Sequence, residues 1–166
     1  MTEPPGSPDP TPWLDDDQQA DWRAYLRGSR LLERALGEDL APLGIQLAEY
    51  ELVSMLSEAP EQTLRMSQLA ELVVQSRSRV THTASRLERR GWVERSPAEG
   101  DGRGVQIRLT EAGAAMLDQV AGIHVRSVRR HLVDTLTPEQ LAGLGDAMAT
   151  VRRRLAPDHR ELGEDG

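Results

Sequence analysis

One stretch of the chain, Ser67 to Leu109, limits the possible folds more than any other part of the sequence. Ser67 is of a residue type that caps helix N-termini, so we predict that it starts a short helix. A tight turn at 74–76 leads to a second helix, predicted over residues 77–90. Gly91 then stands where a left-handed residue commonly ends a helix. Two helices joined by a tight turn are therefore predicted in direct succession.

Two strands are predicted after these helices. Residues 92–95 form the first, and in the second Val105, Ile107 and Leu109 alternate with polar side chains, as in a half-buried strand. The loop between them, residues 96–104, is polar, glycine-rich and too long for a tight turn, and long ordered loops are often functional. Helix, turn, helix, strand, long loop and strand is the order of a winged helix-turn-helix.

The sequence predicts further helices on both sides of this unit. The acidic run Asp15–Asp17 suits the positive N-terminus of a first helix. Thr137-Pro138-Glu139-Gln140 combines a capping box with proline at the first position of a last helix. A narrow apolar seam, typical of a coiled-coil face, follows at Leu141, Leu144, Met148, Val151 and Leu155. Since nothing within one small lobe covers such seams, we predict a homodimer.

The predicted fold class is mostly α with a small β-wing: a winged helix-turn-helix lobe plus a terminal-helix dimerisation region. Gly37 and the stretch Pro42–Gly44 are predicted to break the first helix, and Thr110 to cap a long helix that reaches about Val133. The predicted divisions are a disordered proline-rich tail (1–14), an N-terminal dimerisation helix (15–46), the DNA-binding lobe (47–109), C-terminal dimerisation helices (110–156) and a disordered tail (157–166).

Charge is distributed unevenly along the chain. The net charge is −7, and residues 1–21 hold six acids without a base. Residues 75–108 hold eight arginines against four acids, a local excess of +4. A local basic stripe, and not the total charge, is the electrostatic mark of a nucleic-acid surface. We therefore predict double-stranded DNA as the partner.

The predicted second helix has an apolar face and a polar face. At about 100° per residue, Val80, Ala84 and Leu87 point toward the core. The opposite face has hydrogen-bonding side chains and no acid at its centre, so it can enter a major groove, where arginine reads guanine. The alternative is a charged helix face exposed to solvent, but such a face would be expected to have acidic residues interleaved with basic ones. The candidate DNA contacts are Ser67, Ser76, Arg77, Ser78, Arg79, Thr81, His82, Ser85, Arg86, Arg89 and Arg103.

The loop tip Gly100-Asp101-Gly102-Arg103-Gly104 is a second candidate element. Glycines let the backbone turn sharply, and an arginine held at such a tip can enter a narrow, negative minor groove. Asp101 can hold the Arg103 guanidinium or brace the loop. A mobile hairpin tip is the alternative interpretation.

Four motifs follow one another in this part of the chain. They are Ser78-x-x-Thr81, the run Arg86-Leu87-Glu88-Arg89-Arg90-Gly91-Trp92-Val93-Glu94-Arg95, Asp101-x-Arg103, and Leu109-Thr110-Glu111-Ala112-Gly113. Together they resemble the MarR-type (multiple antibiotic resistance) regulators, and the similar layout covers roughly residues 18–155.

The resemblance implies a two-fold dimer formed by the terminal helices, with recognition helices in successive major grooves and Arg103 in the minor groove. The resemblance also implies a repressor and not an activator, because most members of the family block polymerase. Half-sites about 34–36 Å apart would make the DNA site pseudo-palindromic. Gly102 stands where a second arginine is common in the family, which puts one phosphate contact in doubt.

Many members of this family release DNA when a small aromatic or anionic molecule enters a cleft between the dimer and DNA-binding lobes. The corresponding candidates here are Trp22, Tyr25, Tyr50, His124 and His131. Core packing is the alternative for the aromatic residues, and hydrogen-bonded networks are the alternative for the histidines.

Several classes of function find no support in the sequence. The chain has no cysteine, which excludes disulfides and thiol redox sensing. No apolar run reaches the roughly 18 residues needed to span a membrane, and no signal region is evident, so we expect a cytoplasmic protein without membrane association. We expect no catalytic, cofactor or metal site, since the corresponding motifs are missing. A dimeric helical protein-interaction module that reuses the winged fold is the alternative function.

Overall fold

The computed structural model describes residues 11–98 and 104–156, which form six α-helices and three strands. The helices are α1 (Asp16–Leu40), α2 (Leu47–Glu58), α3 (Met66–Leu72), α4 (Arg77–Arg89), α5 (Glu111–Val128) and α6 (Pro138–Leu155). The strands are β1 (Thr63–Arg65), β2 (Val93–Pro97) and β3 (Val105–Leu109). The predicted class, mostly α with a small β-wing, is confirmed. The predicted tail at 157–166 and most of that at 1–14 lie outside the described residues.

Three helices start where the sequence predicts, and each has a side-chain cap. Asp15 accepts a hydrogen bond from the Gln18 backbone N–H at 2.8 Å, and the Gln18 side chain accepts from the Asp15 N–H at 3.1 Å. Thr137 and Gln140 form the same reciprocal pair at the start of α6. Thr110 caps α5. Each cap satisfies backbone donors that the first turn of a helix leaves unpaired.

Two predicted helix boundaries are wrong. Ser67 does not cap α3, because the helix begins one residue earlier and the Gln68 side chain accepts from the Arg65 N–H at 3.0 Å. Gly37 does not break α1, which continues to Leu40 and ends just before Pro42–Gly44, the other predicted break. An isolated glycine costs a helix only about 1 kcal/mol, and α1 packs along α5 in this region.

The three strands form an antiparallel sheet in the order β1-β3-β2. β2 begins at Val93, one residue later than predicted, and ends with Pro97 opposite Val105. Beyond this pair the Ala98 N–H donates to the Gly104 carbonyl at 2.9 Å. β2 and β3 therefore form the predicted wing up to the edge of its tip, and the tip residues 99–103 lie outside the described part of the chain.

The hydrophobic core lies where α2, α3, α4 and β3 meet. Val80, Ala84 and Leu87 are fully buried in it, as predicted for the apolar face of α4. Removing a large aliphatic side chain from water contributes about 1.5–3 kcal/mol. This burial fixes the rotation of α4 and turns its opposite face outward.

Gly113 allows α5 to lie unusually close to the sheet. A Cβ at this position would lie 2.2 Å from the Trp92 carbonyl oxygen and 2.7 Å from Leu109 Cδ1. Beside it, the Thr110 hydroxyl donates to the carbonyl of Gly91 at 2.7 Å, and Gly91 has a left-handed φ of 72°. The Leu-Thr-x-x-Gly motif is thus explained by the join between the wing and α5.

The end of α1 is joined to the end of α5 by an acidic side chain. α5 continues through a π-helical turn, Arg129–Val133, to its predicted end. Asp39 accepts hydrogen bonds from the Ser127 hydroxyl and, at 2.5 Å, from Arg130 Nη2, and it lies 3.0 Å from His131 Nε2. The bonds from Ser127 and Arg130, and then that from His131, lower the pKa of Asp39 to about 2.

The terminal helices leave apolar faces uncovered. No residue of α6 is buried, and Leu40 is the only buried residue of α1. Trp22 is 51% exposed and Leu155 is 79% exposed. The described part of the chain therefore does not cover the seams from which a dimer was predicted. Among the described helices, none is both long and apolar enough to cross a membrane.

Candidate nucleic-acid interface

The side of α4 that faces away from the core is polar and basic. Its exposed residues are Arg77, Ser78, Arg79, Thr81, His82 and Arg89, with Ser85 half-buried among them and Ser76 exposed at the cap. The structure thus brings together on one surface eight of the eleven predicted DNA contacts. A helix with this outer face has the diameter and the side chains to lie in a major groove.

The N-terminus of α4 combines a cap with two arginines. Ser76 Oγ accepts from the Arg79 backbone N–H at 3.4 Å and lies 3.2 Å from Ser78 Oγ. Arg77 and Arg79 are both exposed in this first turn. Backbone N–H groups and the helix dipole already make a helix N-terminus favourable for anions. The arrangement suits a phosphate of a nucleic-acid backbone.

Two hydroxyl groups in the middle of the outer face donate to their own helix. Thr81 Oγ1 donates to the Arg77 carbonyl at 2.8 Å, and Ser85 Oγ donates to the Thr81 carbonyl at 2.9 Å. In these rotamers each hydroxyl still has free acceptor lone pairs. They can therefore accept from a base amino group without breaking the helix bond.

Arg86 does not belong to this surface, contrary to the sequence interpretation. Its Nη2 lies 2.8 Å from Glu49 Oε1, and its Nη1 donates to Gln46 Oε1 at 2.5 Å. Glu49, in the first turn of α2, has a side chain only 2% exposed. A buried carboxylate needs paired donors, and it draws Arg86 toward α2 and away from a DNA groove.

Arg90 completes this ionic anchor between α2 and α4. Its Nη1 donates to the Gly44 carbonyl at 2.7 Å and lies 3.5 Å from Glu49 Oε2. The guanidinium also stacks over the Trp92 ring, 3.6 Å from the ring centroid. We define Glu49, Arg86 and Arg90 as the α2–α4 anchor. Sequence reasoning missed Glu49, although Gln46-x-x-Glu49 is a capping-box signal at the start of α2.

The only acid of α4 is held by the wing. Arg95 of β2 donates to Glu88 Oε2 from Nε at 3.1 Å and from Nη2 at 2.5 Å. These two hydrogen bonds lower the pKa of Glu88. On the neighbouring strand Arg108 Nη2 lies 2.7 Å from Glu94 Oε2. The Arg95–Glu88 pair neutralises the negative charge nearest the outer face of α4 and also fixes β2 against the helix.

The two remaining predicted DNA contacts differ in position. Ser67 is half-buried in the first turn of α3 and, with Ser76 and Arg77, lines a cavity of about 500 Å³ beside the turn between α3 and α4. Val74, in this turn, is 79% exposed and has a left-handed φ of 50°. Arg103 lies outside the described residues.

The five predicted ligand-pocket residues do not form one site. Trp22 and Tyr25 stack on each other on the open side of α1, with ring centroids 5.9 Å apart. His131 is bound to Asp39 and belongs to the α1–α5 join. Only Tyr50 and His124 meet, with centroids 4.2 Å apart, and both line a cavity of about 380 Å³ between α1, α2, α3 and α5.

A family model and a curated relative both match the part of the chain that contains α4. The model of the MarR family matches residues 43–104. The HTH-type transcriptional regulator PecS of Dickeya dadantii is 30% identical over 131 residues, which are 78% of this chain and 78% of that protein. This segment includes the lobe that contains α4.

Two solved structures from Streptomyces coelicolor are similar over most of the chain. The MarR family regulator AbsC is 40% identical with a TM-score of 0.82, and the match covers 89% of this chain and all of that one. A second MarR family regulator, determined in complex with DNA, is 38% identical with a TM-score of 0.85, and the match covers 93% of this chain and 98% of that one. The chain described here belongs to the MarR family of DNA-binding transcriptional regulators.

Proposed function

We propose that the protein is a homodimeric repressor that binds a pseudo-palindromic DNA operator through α4 and the wing. The observation that supports this most is the outer side of α4. Arg77, Arg79 and Arg89 are exposed there, whereas the only acid of the helix, Glu88, is paired with Arg95. Phosphate contacts position such a protein on DNA, and contacts to base edges give it specificity.

Within this proposal the residues of α4 divide into two groups. Arg77 and Arg79, beside the helix N-terminus, bind phosphates. Thr81, His82 and Ser85 lie further along the outer face, where a recognition helix approaches base edges. Arg103, at the wing tip, enters the adjacent minor groove.

The proposed dimer is supported by the uncovered terminal helices. α6 has no buried residue, although its apolar residues recur along one side. Large uncovered apolar faces mark interaction surfaces, and a second copy supplies an identical seam. A two-fold axis through these helices would place two α4 helices about 34–36 Å apart, one turn of DNA.

Release by a small molecule is the third part of the proposal. The cavity lined by Tyr50 and His124 lies where α1 and α5 meet α2 and α3. A ligand there would contact the terminal helices and the DNA-binding lobe at once. A ligand shifts the equilibrium between two conformations only if it binds one of them more tightly. A ligand that prefers one spacing of the two α4 helices would therefore change the affinity of the dimer for DNA.

Fluorescence anisotropy tests the DNA-binding part of this function. The full chain is titrated into labelled duplex from the intergenic region upstream of its own gene, with a scrambled duplex as control, at several salt concentrations. We expect tight, sequence-dependent binding that weakens steeply with salt, because arginine–phosphate contacts release counterions. Equal, weak and salt-insensitive binding to both duplexes would contradict the proposal and favour a protein-interaction module.

A further inference from the structure

The cavity of about 380 Å³ between α1, α2, α3 and α5 has an apolar wall and a polar end. Leu36, Leu47, Met55 and Leu72 contribute the apolar wall. The polar residues that line it are Tyr50, Glu51, Ser54 and His124. Its volume and lining suit a small ring-containing molecule with one polar substituent.

One buried polar atom at this cavity has no hydrogen-bond partner within the described residues. It is Nδ1 of His124, whose ring lies against Tyr50. Gln75, which lines the neighbouring cavity beside the turn between α3 and α4, donates from Nε2 to Glu51 Oε2 at 3.2 Å. Buried polar atoms without partners are uncommon and costly. An N–H group of a ligand would supply a partner for Nδ1 in the tautomer that carries its proton on Nε2.

The charged groups around the cavity do not favour an anion. Glu51 is the only carboxylate among the described lining residues, and burial and the nearby Glu33 raise its pKa, while Arg79 acts in the opposite direction. Burial lowers the pKa of His124, so its ring is neutral at pH 7. No arginine is among the described residues that line the cavity, and the sequence has no lysine. A carboxylate placed here would face Glu51, and no basic side chain of the described lining could pair with it directly.

We propose that this cavity binds a small aromatic cation, such as an amine or amidine, and discriminates against aromatic carboxylates. The ring lies along the apolar wall, and the cationic group pairs with Glu51 and donates toward the polar end. This narrows the class of aromatic or anionic effector that the sequence suggested. The inference rests on the proposed effector function for its biological role, but binding itself requires neither DNA nor a known operator.

Three planar molecules of nearly equal shape test this preference. Benzamidine is cationic, benzamide is neutral and benzoate is anionic at pH 7, and each is titrated into the full chain by calorimetry without DNA. We expect benzamidine to bind about tenfold more tightly than benzoate, equivalent to about 1.4 kcal/mol, with benzamide in between. Glu51→Gln keeps the shape of the side chain, removes its charge, and should abolish the preference of benzamidine over benzamide.

The matched control is Glu38→Gln, which removes an exposed carboxylate from α1 outside the cavity and should keep the preference. Benzoate binding as tightly as benzamidine would overturn the inference, and so would no benzamidine binding at about 1 mM. A preference that survives Glu51→Gln would also overturn it. Because the comparison is made without DNA, loss of operator binding would count against the proposed function and not against this ligand class.

Discussion

The arginines of α4 fall into two populations that the sequence does not distinguish. Arg77, Arg79 and Arg89 are exposed on the outer side of the helix, whereas Arg86 is tied to Glu49 in the α2–α4 anchor. The difference arises from the partner helix, since a buried carboxylate on α2 requires donors and takes the nearest guanidinium. An arginine-rich helix therefore has separate tasks: one side holds the helix in the lobe, and the other is available to a ligand.

Removal of the anchor carboxylate should give the largest effect. Glu49→Ala leaves Arg86 and Arg90 without their shared partner, and the loss of hydrogen bonds to a charged group costs about 1.5–3 kcal/mol. We expect the free energy of unfolding in urea to fall by this amount. Glu94→Ala breaks the exposed pair with Arg108 and should change it by about 0–1 kcal/mol. Equal effects of the two variants would show that the anchor is no more than a surface contact.

Loss of the cap on the outer side should have a smaller effect on stability. Ser76→Ala removes the side-chain acceptor for the Arg79 N–H and should lower the free energy of unfolding by about 1 kcal/mol. Ser78→Ala is the matched control, because Ser78 is exposed in the first turn and does not cap the helix. A Ser76→Ala protein as stable as Ser78→Ala would contradict the capping role.

The Asp39 cluster provides a pH-dependent comparison with the anchor. The pKa of Asp39 is about 2, below its usual 3.8, so its ionised form stabilises the fold above pH 4 and this contribution is lost as the pH falls toward 2. Asp39→Asn should therefore make the unfolding free energy less dependent on pH between 4 and 2. The exposed Asp118 gives a matched control as Asp118→Asn. Identical acid unfolding profiles for Asp39→Asn and the wild type would refute this role.

Local signals in the sequence predicted most helix starts and the buried face of α4. Asp15, Thr110 and Thr137 act within one turn of the chain, so their roles could be predicted from neighbouring residues alone. The core positions Val80 and Leu87 follow from helical periodicity for the same reason.

Contacts between distant segments could not be predicted in this way. Arg86 and Glu49 are 37 positions apart, and nothing in the periodicity of α4 indicates that an acid on α2 is buried beside it. The positions of the predicted ligand residues are a second example: Tyr50 and His124 meet, but Trp22, Tyr25 and His131 lie elsewhere because tertiary packing separates them. Glu51 and Ser54, the other polar residues that line the cavity, gave no local signal.

The salt dependence of DNA binding tests most directly whether the exposed side of α4 contacts DNA. Arg77→Ala combined with Arg79→Ala should lower the slope of log affinity against log salt concentration by about 2, since each phosphate contact contributes about 0.9. Arg34→Ala, which removes an exposed arginine paired with Glu38 on α1, should leave the slope unchanged. The free energy of unfolding of both variants should stay within about 0.5 kcal/mol of the wild type. A wild-type slope in the double variant would contradict the assignment of this surface to DNA.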